Sequence, residues 1–108
     1  MELTEKLHLT RREIIPTNDI IYLQSDNNYT YIYTTNNCKY LSTQTLKILE
    51  ERIQSDNFLR INRGLLINCN HIKELSFLNR FWHVCLKNGE VLPISRRKYK
   101  CIKSFVSE

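Results

Sequence analysis

The sequence predicts a small, mostly β domain made of short antiparallel sheets with one or two short amphipathic helices. Residues 29–35 alternate aromatic with β-branched side chains, which is the two-residue period of a strand. Asn88-Gly89 is the strongest short signal for a β-hairpin. Apolar residues at helical spacing are confined to two segments, near residues 46–53 and 96–106. At 108 residues, the whole chain 1–108 is expected to form one domain.

The first part of the chain is polar and mixed in charge. We expect residues 1–6 to be a ragged lead-in, with a first strand near residues 6–9. Pro16 should end this segment, because proline blocks a helix and disfavours a central strand. The composition of residues 16–19 predicts a turn. A short apolar strand at 20–23 and a polar loop at 24–28 are then expected.

The aromatic strand predicted at 29–35 places three tyrosines on one face, and Asn36-Asn37 then turns the chain into a returning strand at 38–41. The tyrosines are Tyr29, Tyr31 and Tyr33. Their face could pack on a sheet, or it could stack the bases of a single-stranded nucleic acid. The second interpretation requires Tyr31 and Tyr33 to be exposed.

A first helix is predicted after Ser42-Thr43, which are suitable N-cap residues. Leu46, Leu49 and Ile53 form its apolar stripe. Ser, Asp and Asn at residues 55–57 favour its end, because these residues compete for backbone hydrogen bonds. This spacing predicts one amphipathic helix laid against a sheet.

Residues 58–70 combine basic and amide side chains with a short apolar run. We expect a loop through 62–64, a buried strand at 65–67 and a turn at 68–70. Arg and Asn are the side chains best shaped to read guanine and adenine in a major groove. The same side chains could instead cap a turn or pair with acids. For Arg60 a structural ion pair is favoured, and for Asn68 a backbone hydrogen bond in the turn.

The last third predicts three strands, at 72–77, 82–86 and 91–94, with Pro93 favouring a sheet edge. Ser95 should then cap a helix over 96–106. The apolar stripe of this helix consists of Tyr99, Ile102 and either Phe105 or Val106.

Cations crowd the start of this predicted helix, where they oppose the helix macrodipole. They are Arg96, Arg97, Lys98 and Lys100. A phosphate backbone would satisfy both these charges and the free N–H groups of the first turn. The chain as a whole carries a net charge of +5, which indicates either a polyanion partner or a solvated basic face.

Other classes of protein find little support in the sequence. The four cysteines show no C-x-x-C pair and no zinc spacing, so we expect neither a metal nor another cofactor. Reduced thiols in a cytoplasmic protein, most of them small core residues, are the expected state. The chain has no nucleophile with a base at recognisable spacing and no Gly-rich phosphate loop, so an enzyme is not predicted. No run is long enough to cross a membrane.

Several blocks occur in an order that resembles the LytTR family, the DNA-binding output domain of many bacterial response regulators. The blocks are I-I-Y-L at 20–23, N-N-Y-T-Y-I-Y-T at 27–34, T-L-K-I-L-E-E-R-I at 45–53, F-L-R-I-N-R-G-L-L-I-N at 58–68 and L-P-I-S-R-R-K-Y at 92–99. The resemblance covers residues 7–105. It implies a mostly β fold that binds promoter DNA through loops reaching successive major grooves.

By this resemblance, three loops would contact DNA. The base-contacting residues would be Asn28, Tyr29, Asn62, Arg63 and Arg97. The phosphate-contacting residues would be Gly64, Ser95, Arg96 and Lys98. The sequence departs from the usual R-I-H-R-S pattern of the family at Asn62 and Gly64, which puts the phosphate contact of Gly64 in doubt.

The expected partner is double-stranded promoter DNA with repeated sites, bound by two copies of the chain. The receiver domain that usually precedes this family is not in the sequence, so a removed receiver, a sensor kinase and a stand-alone regulator remain alternatives. The competing functions are a single-stranded nucleic-acid binder and a protein-interaction module. The latter requires an exposed apolar patch and tolerance of Arg63→Ala.

Overall fold

The computed structural model describes residues 5–53 and 55–106, and side chains up to residue 104. In this part of the chain, ten strands form three antiparallel sheets, and there are two α-helices. This confirms the prediction of a mostly β fold. The strands are β1 Lys6–His8, β2 Ile14–Pro16, β3 Ile20–Asp26, β4 Tyr29–Thr34, β5 Lys39–Ser42, β6 Phe58–Asn62, β7 Leu65–Asn68, β8 Ile72–Leu78, β9 Phe81–Leu86 and β10 Val91–Pro93. The helices are α1 Leu46–Arg52 and α2 Arg96–Val106.

The two-stranded sheet pairs β1 with β2, with Leu7 opposite Ile15. The segment that ends at Pro16 is therefore not irregular, because Pro16 is the last residue of strand β2. Proline is tolerated there since the strand lies at a sheet edge. The predicted turn follows as a 3-10 helix at Thr17–Asp19. Residues 1–4 of the predicted lead-in lie outside the described residues.

The five-stranded sheet has the order β5-β4-β3-β7-β6. The polar loop predicted at 24–28 is wrong, because β3 continues to Asp26 and pairs Gln24 with Tyr31. Gln24 and Asp26 are exposed, so their polarity reports a solvent-facing strand end and not a loop. The turn is limited to two residues, and Asn27 takes a positive φ of 58° there.

Residues 58–62 form strand β6, which was not predicted, and Asn62 of the loop expected at 62–64 is its last residue. This strand pairs with β7, with Leu59 opposite Ile67, and a register shift separates Arg60 from Asn62. Polar residues can occupy this strand because it is the edge of the sheet. Its one fully buried side chain is Ile61.

Helix α1 begins three residues later than predicted. Thr45 is the N-cap, and its hydroxyl accepts a 3.4 Å hydrogen bond from the N–H of Ile48. Ser42 belongs instead to β5 and accepts from the N–H of Gln44. Leu46 and Leu49 are buried in a core shared with β1 to β4 and β7, which confirms the predicted apolar face.

The three-stranded sheet has the order β10-β9-β8, and α2 packs against it. Ile102 of α2 and Val84 of β9 are fully buried in the second core cluster. Trp82 stacks on Tyr99, with ring centroids 4.5 Å apart. The predicted positions of this sheet and of α2 are confirmed. The side chains of residues 105 and 106 lie outside the described part.

The cysteines are free, but they are not mainly core residues as predicted. Cys38 and Cys101 are exposed, and Cys69 and Cys85 are half-buried. No helix in the described ranges 5–53 and 55–106 is long and apolar enough to span a membrane.

Candidate nucleic-acid interface

Three chain segments that carry predicted contacts meet at one end of the fold. Gln24 of β3 pairs with Leu65 of β7, so the β3–β4 turn and the β6–β7 turn lie side by side. The N–H of Ser25 donates to the carbonyl of Gly64 at 2.9 Å, which joins these turns directly. The N–H of Ser95 donates to the carbonyl of Ile61 at 2.8 Å and brings in the start of α2.

A groove of about 360 Å³ lies between the β6–β7 turn and the start of α2. No acid among the described residues lines it. The lining residues are Arg60, Asn62, Arg63, Ser95, Arg97 and Lys98. Residues far apart in sequence thus form one cationic concavity, whose field favours a polyanion.

The exposed cations of this groove are Arg63, Arg97 and Lys98. Among the described residues, the single ion pair joins Arg60 to Glu50, so none of these three is paired with an acid there. Their charged groups are therefore available to a ligand.

Arg60 lines the groove but is held by contacts within the protein. Its Nε lies 3.2 Å from Oε1 of Glu50 in an ion pair, and this nitrogen makes no hydrogen bond with any described residue. Its Nη1 donates to the carbonyl of Arg63 at 3.0 Å. The favoured structural interpretation of Arg60 is confirmed. Glu50 could not be identified from the sequence, because an acid on the polar side of a helix gives no indication of its partner.

Asn62 uses both ends of its amide within the protein. Its Nδ2 donates to the carbonyl of Pro93 at 2.8 Å, and its Oδ1 accepts from the N–H of Gly64 at 2.8 Å. These bonds support the turn-capping alternative and connect the β6–β7 turn to β10. One amide hydrogen remains for a base, so the predicted base contact stays a prediction.

Gly64 allows a close approach between two turns. A Cβ at this position would lie 2.9 Å from Oγ of Ser25, closer than real Cβ contacts. Its N–H already donates to Asn62, which leaves it poorly placed for the predicted phosphate contact. That contact stays a prediction.

The start of α2 presents its cations in two directions. Arg97 and Lys98 line the groove beside Ser95. Arg96 is exposed, and its guanidinium carbon lies 5.9 Å from the centroid of the Phe81 ring. Arg96 therefore borders the β8–β9 hairpin.

Asn28 and Tyr29 lie at the β3–β4 turn, at the same end of the five-stranded sheet but outside the groove lining. Both are exposed, and Tyr29 retains 48% of its accessible surface. Their predicted base contacts stay predictions.

The tyrosine face of β4 is largely occupied by the protein itself. Tyr33 stacks on Tyr22 with centroids 4.5 Å apart, and Nζ of Lys39 lies 4.5 Å from the centroid of Tyr31. Both Tyr31 and Tyr33 are half-buried. The exposure that a single-strand stacking platform requires is therefore not met.

Asn68 is a structural residue. It is 1% exposed, and its Nδ2 donates to the carbonyl of Ile20 at 3.0 Å. Its Oδ1 accepts from the N–H of Asn70 at 3.0 Å. The expectation of a backbone hydrogen bond in the turn is confirmed.

In the described part of the chain, two side chains have a clearly shifted pKa, and neither lines the groove. Burial raises the pKa of the Tyr22 hydroxyl above its ordinary value, helped by its 2.8 Å hydrogen bond to Glu90. Burial alone raises the pKa of the Cys69 thiol to about 11. Within the described ranges, no group of three or more His, Cys, Asp or Glu side chains could hold a metal ion.

Curated relatives match most of this chain, and the chain spans about two fifths of the length of the two described here. It is 33% identical over 107 residues to the transcriptional regulatory protein LytR of Staphylococcus aureus, covering 98% of this chain and 41% of that protein. It is 28% identical over 94 residues to the sensory transduction protein LytT of Bacillus subtilis, covering 86% and 39%.

The fold is also that of a solved structure, a LytTr DNA-binding domain of a putative methyl-accepting/DNA response regulator from Bacillus cereus. The TM-score is 0.75 at 22% identity, with all of both chains covered. The family model described as the LytTr DNA-binding domain matches residues 10–107. The chain therefore belongs to the LytTR family, the non-enzymatic DNA-binding domains of response-regulator type transcription regulators.

Proposed function

We propose that this chain binds double-stranded DNA in a sequence-specific manner, through loops that reach successive major grooves, and that it regulates transcription in the cytoplasm. The observation that carries the proposal is the groove between the β6–β7 turn and the start of α2. It presents Arg63, Arg97 and Lys98 without an acid in its lining. In the proposal, residues 1–108 act as one DNA-binding domain.

Arg63 and Arg97 are assigned to base edges. Both are exposed; Arg63 lies on the short β6–β7 turn and Arg97 in the first turn of α2, so they can enter a groove without bending the fold. A bidentate arginine on guanine contributes roughly 1–3 kcal/mol of discrimination. Asn28 and Tyr29, on the neighbouring turn, would contact bases farther along the duplex.

The phosphate contacts are assigned to Arg96, to Lys98 and to Ser95, the residue before α2. Such contacts position a protein on the duplex without reading sequence. The hydroxyl of Ser95 would donate to a phosphate oxygen beside Lys98. Gly64 contributes mainly by letting the β3–β4 and β6–β7 turns approach each other, because its N–H already donates to Asn62.

Two copies are proposed to occupy a repeated promoter site, because a single small module buries limited surface on DNA. A partnership with a receiver domain or a sensor kinase is also proposed, because one relative is a transcriptional regulatory protein, another is a sensory transduction protein, and this chain spans only about two fifths of each.

The test is a selection from genomic fragments with the purified chain, followed by titration of the selected duplex at several salt concentrations. A recurring repeated motif bound well above random duplex supports the proposal. Equal, salt-sensitive binding to all duplexes would leave only a basic surface. Binding to single strands alone would contradict the proposal.

A further inference from the structure

The tip of the β8–β9 hairpin is exposed and apolar. Phe77, Leu78 and Phe81 retain 58%, 48% and 51% of their accessible surface. Leu78 pairs with Phe81 across the hairpin, and Asn79 and Arg80 form the two-residue turn between them. Exposed aromatic side chains clustered at one tip indicate contact with a partner.

The turn holds an arginine in an unfavourable backbone conformation. Asn79 and Arg80 take φ values of 52° and 71°, which is the left-handed region. Glycine is favoured at the second position of such hairpin turns, and the next hairpin of this chain has Gly89 at a φ of 97°. Residues with positive φ that are not glycine often mark functional sites. The side chain of Arg80 is therefore a candidate for a binding role.

This tip is continuous with the cationic groove. The N–H of Ile94 donates to the carbonyl of Trp82 at 3.0 Å, so the start of β9 adjoins the segment that leads into α2. The carbonyl of Pro93, at the end of β10, accepts from Asn62 in the groove. Arg96 then reaches the Phe81 ring from the first residue of α2.

From these contacts we propose that the β8–β9 turn is a fourth DNA-binding element, in addition to the three loops of the proposed function, on which this inference rests. Arg80 pairs with a phosphate next to the one held by Arg96. Leu78 and Phe81 pack against the apolar faces of the neighbouring deoxyriboses. Residues 77–82 contain no acid, so the charge of this tip complements DNA and extends the positive field of the groove.

The main test is Arg80→Gly in the full chain, with salt-dependent titration of a random-sequence duplex. Glycine accepts the positive φ, so this variant should fold at least as stably as the original chain. Loss of one phosphate contact should lower the salt slope by about 0.9 and weaken binding at 0.1 M salt about eightfold. Lys87→Gln is the matched control, because it removes one charge at the opposite end of β9.

Each outcome decides between the two proposals. Weaker binding by Arg80→Gly, with Lys87→Gln unchanged, supports the fourth contact, and Phe81→Ser should then weaken binding further. If Arg63→Gln weakens binding but Arg80→Gly does not, the fourth contact is refuted and the apolar tip is left for a protein partner. Equal loss in Arg80→Gly and Lys87→Gln also refutes it. No effect from any of these variants would overturn the proposed function itself.

Discussion

Replacement of Asn62 by alanine tests whether this amide caps a turn or reads a base. The change removes two hydrogen bonds of 2.8 Å, one to the carbonyl of Pro93 and one from the N–H of Gly64. A typical bond contributes about 1 kcal/mol net, and the exposed one contributes less, so we expect a loss of about 1–2 kcal/mol. For a chain of this size, such a loss lowers Tm by roughly 5–15 °C.

Thermal unfolding followed by circular dichroism measures the loss, and a duplex selection at a temperature where the variant stays folded measures base preference. Turn capping predicts a lower Tm, weaker binding to all duplexes and an unchanged motif. A reader role predicts a relaxed base at one position of the motif. An unchanged Tm would refute the reasoning, because the two bonds would then contribute nothing.

Three further predictions concern residues outside the groove. Asn68→Ala should destabilise the chain by about 1–3 kcal/mol in urea unfolding, because it removes the buried hydrogen bond to the carbonyl of Ile20 and the part-buried bond from the N–H of Asn70. An unchanged midpoint would contradict this. At pH 8, Ellman's reagent should modify exposed Cys38 quickly and Cys69 slowly until urea is added, because the thiolate is the reactive form and burial raises the pKa of Cys69 to about 11. The contribution of this thiol to stability should be constant below pH 9, its ordinary pKa, and should fall as pH rises from 9 to 11, because the unfolded chain loses this proton first. Cys69→Ala should remove this part of the fall in urea unfolding series.

The sequence predicts elements best where one face is buried. The alternation at residues 29–34 and the Asn88-Gly89 turn locate β4 and the β9–β10 hairpin correctly. The prediction fails at β6, where polar side chains occupy half-buried positions of an edge strand, and at the end of β3, where they occupy exposed positions. The polarity of Gln24 and Asp26 indicates solvent exposure, which is common to loops and strand ends. The strand conformation there depends on pairing with β4, which the local sequence does not indicate.

The groove could be predicted from the sequence only through the resemblance to the LytTR family. Arg63 and Arg97 belong to separate elements, and nothing local indicates that the Ser95 N–H bonds to Ile61 and brings them together. Charge clustering predicts a polyanion partner, but it does not separate Arg60, which is paired with Glu50, from the free arginines.

The most direct test of the central claim is the ratio of affinities for the selected duplex and a random duplex, measured for the original chain, Arg63→Gln and Arg97→Gln. Lys87→Gln serves as the control with the same change of charge. The account predicts a ratio of at least about 10³ for the original chain. Each groove variant should lose about 5-fold to 150-fold of this ratio, the equivalent of 1–3 kcal/mol for one base contact. An unchanged ratio in both groove variants would contradict the assignment of this groove to base reading.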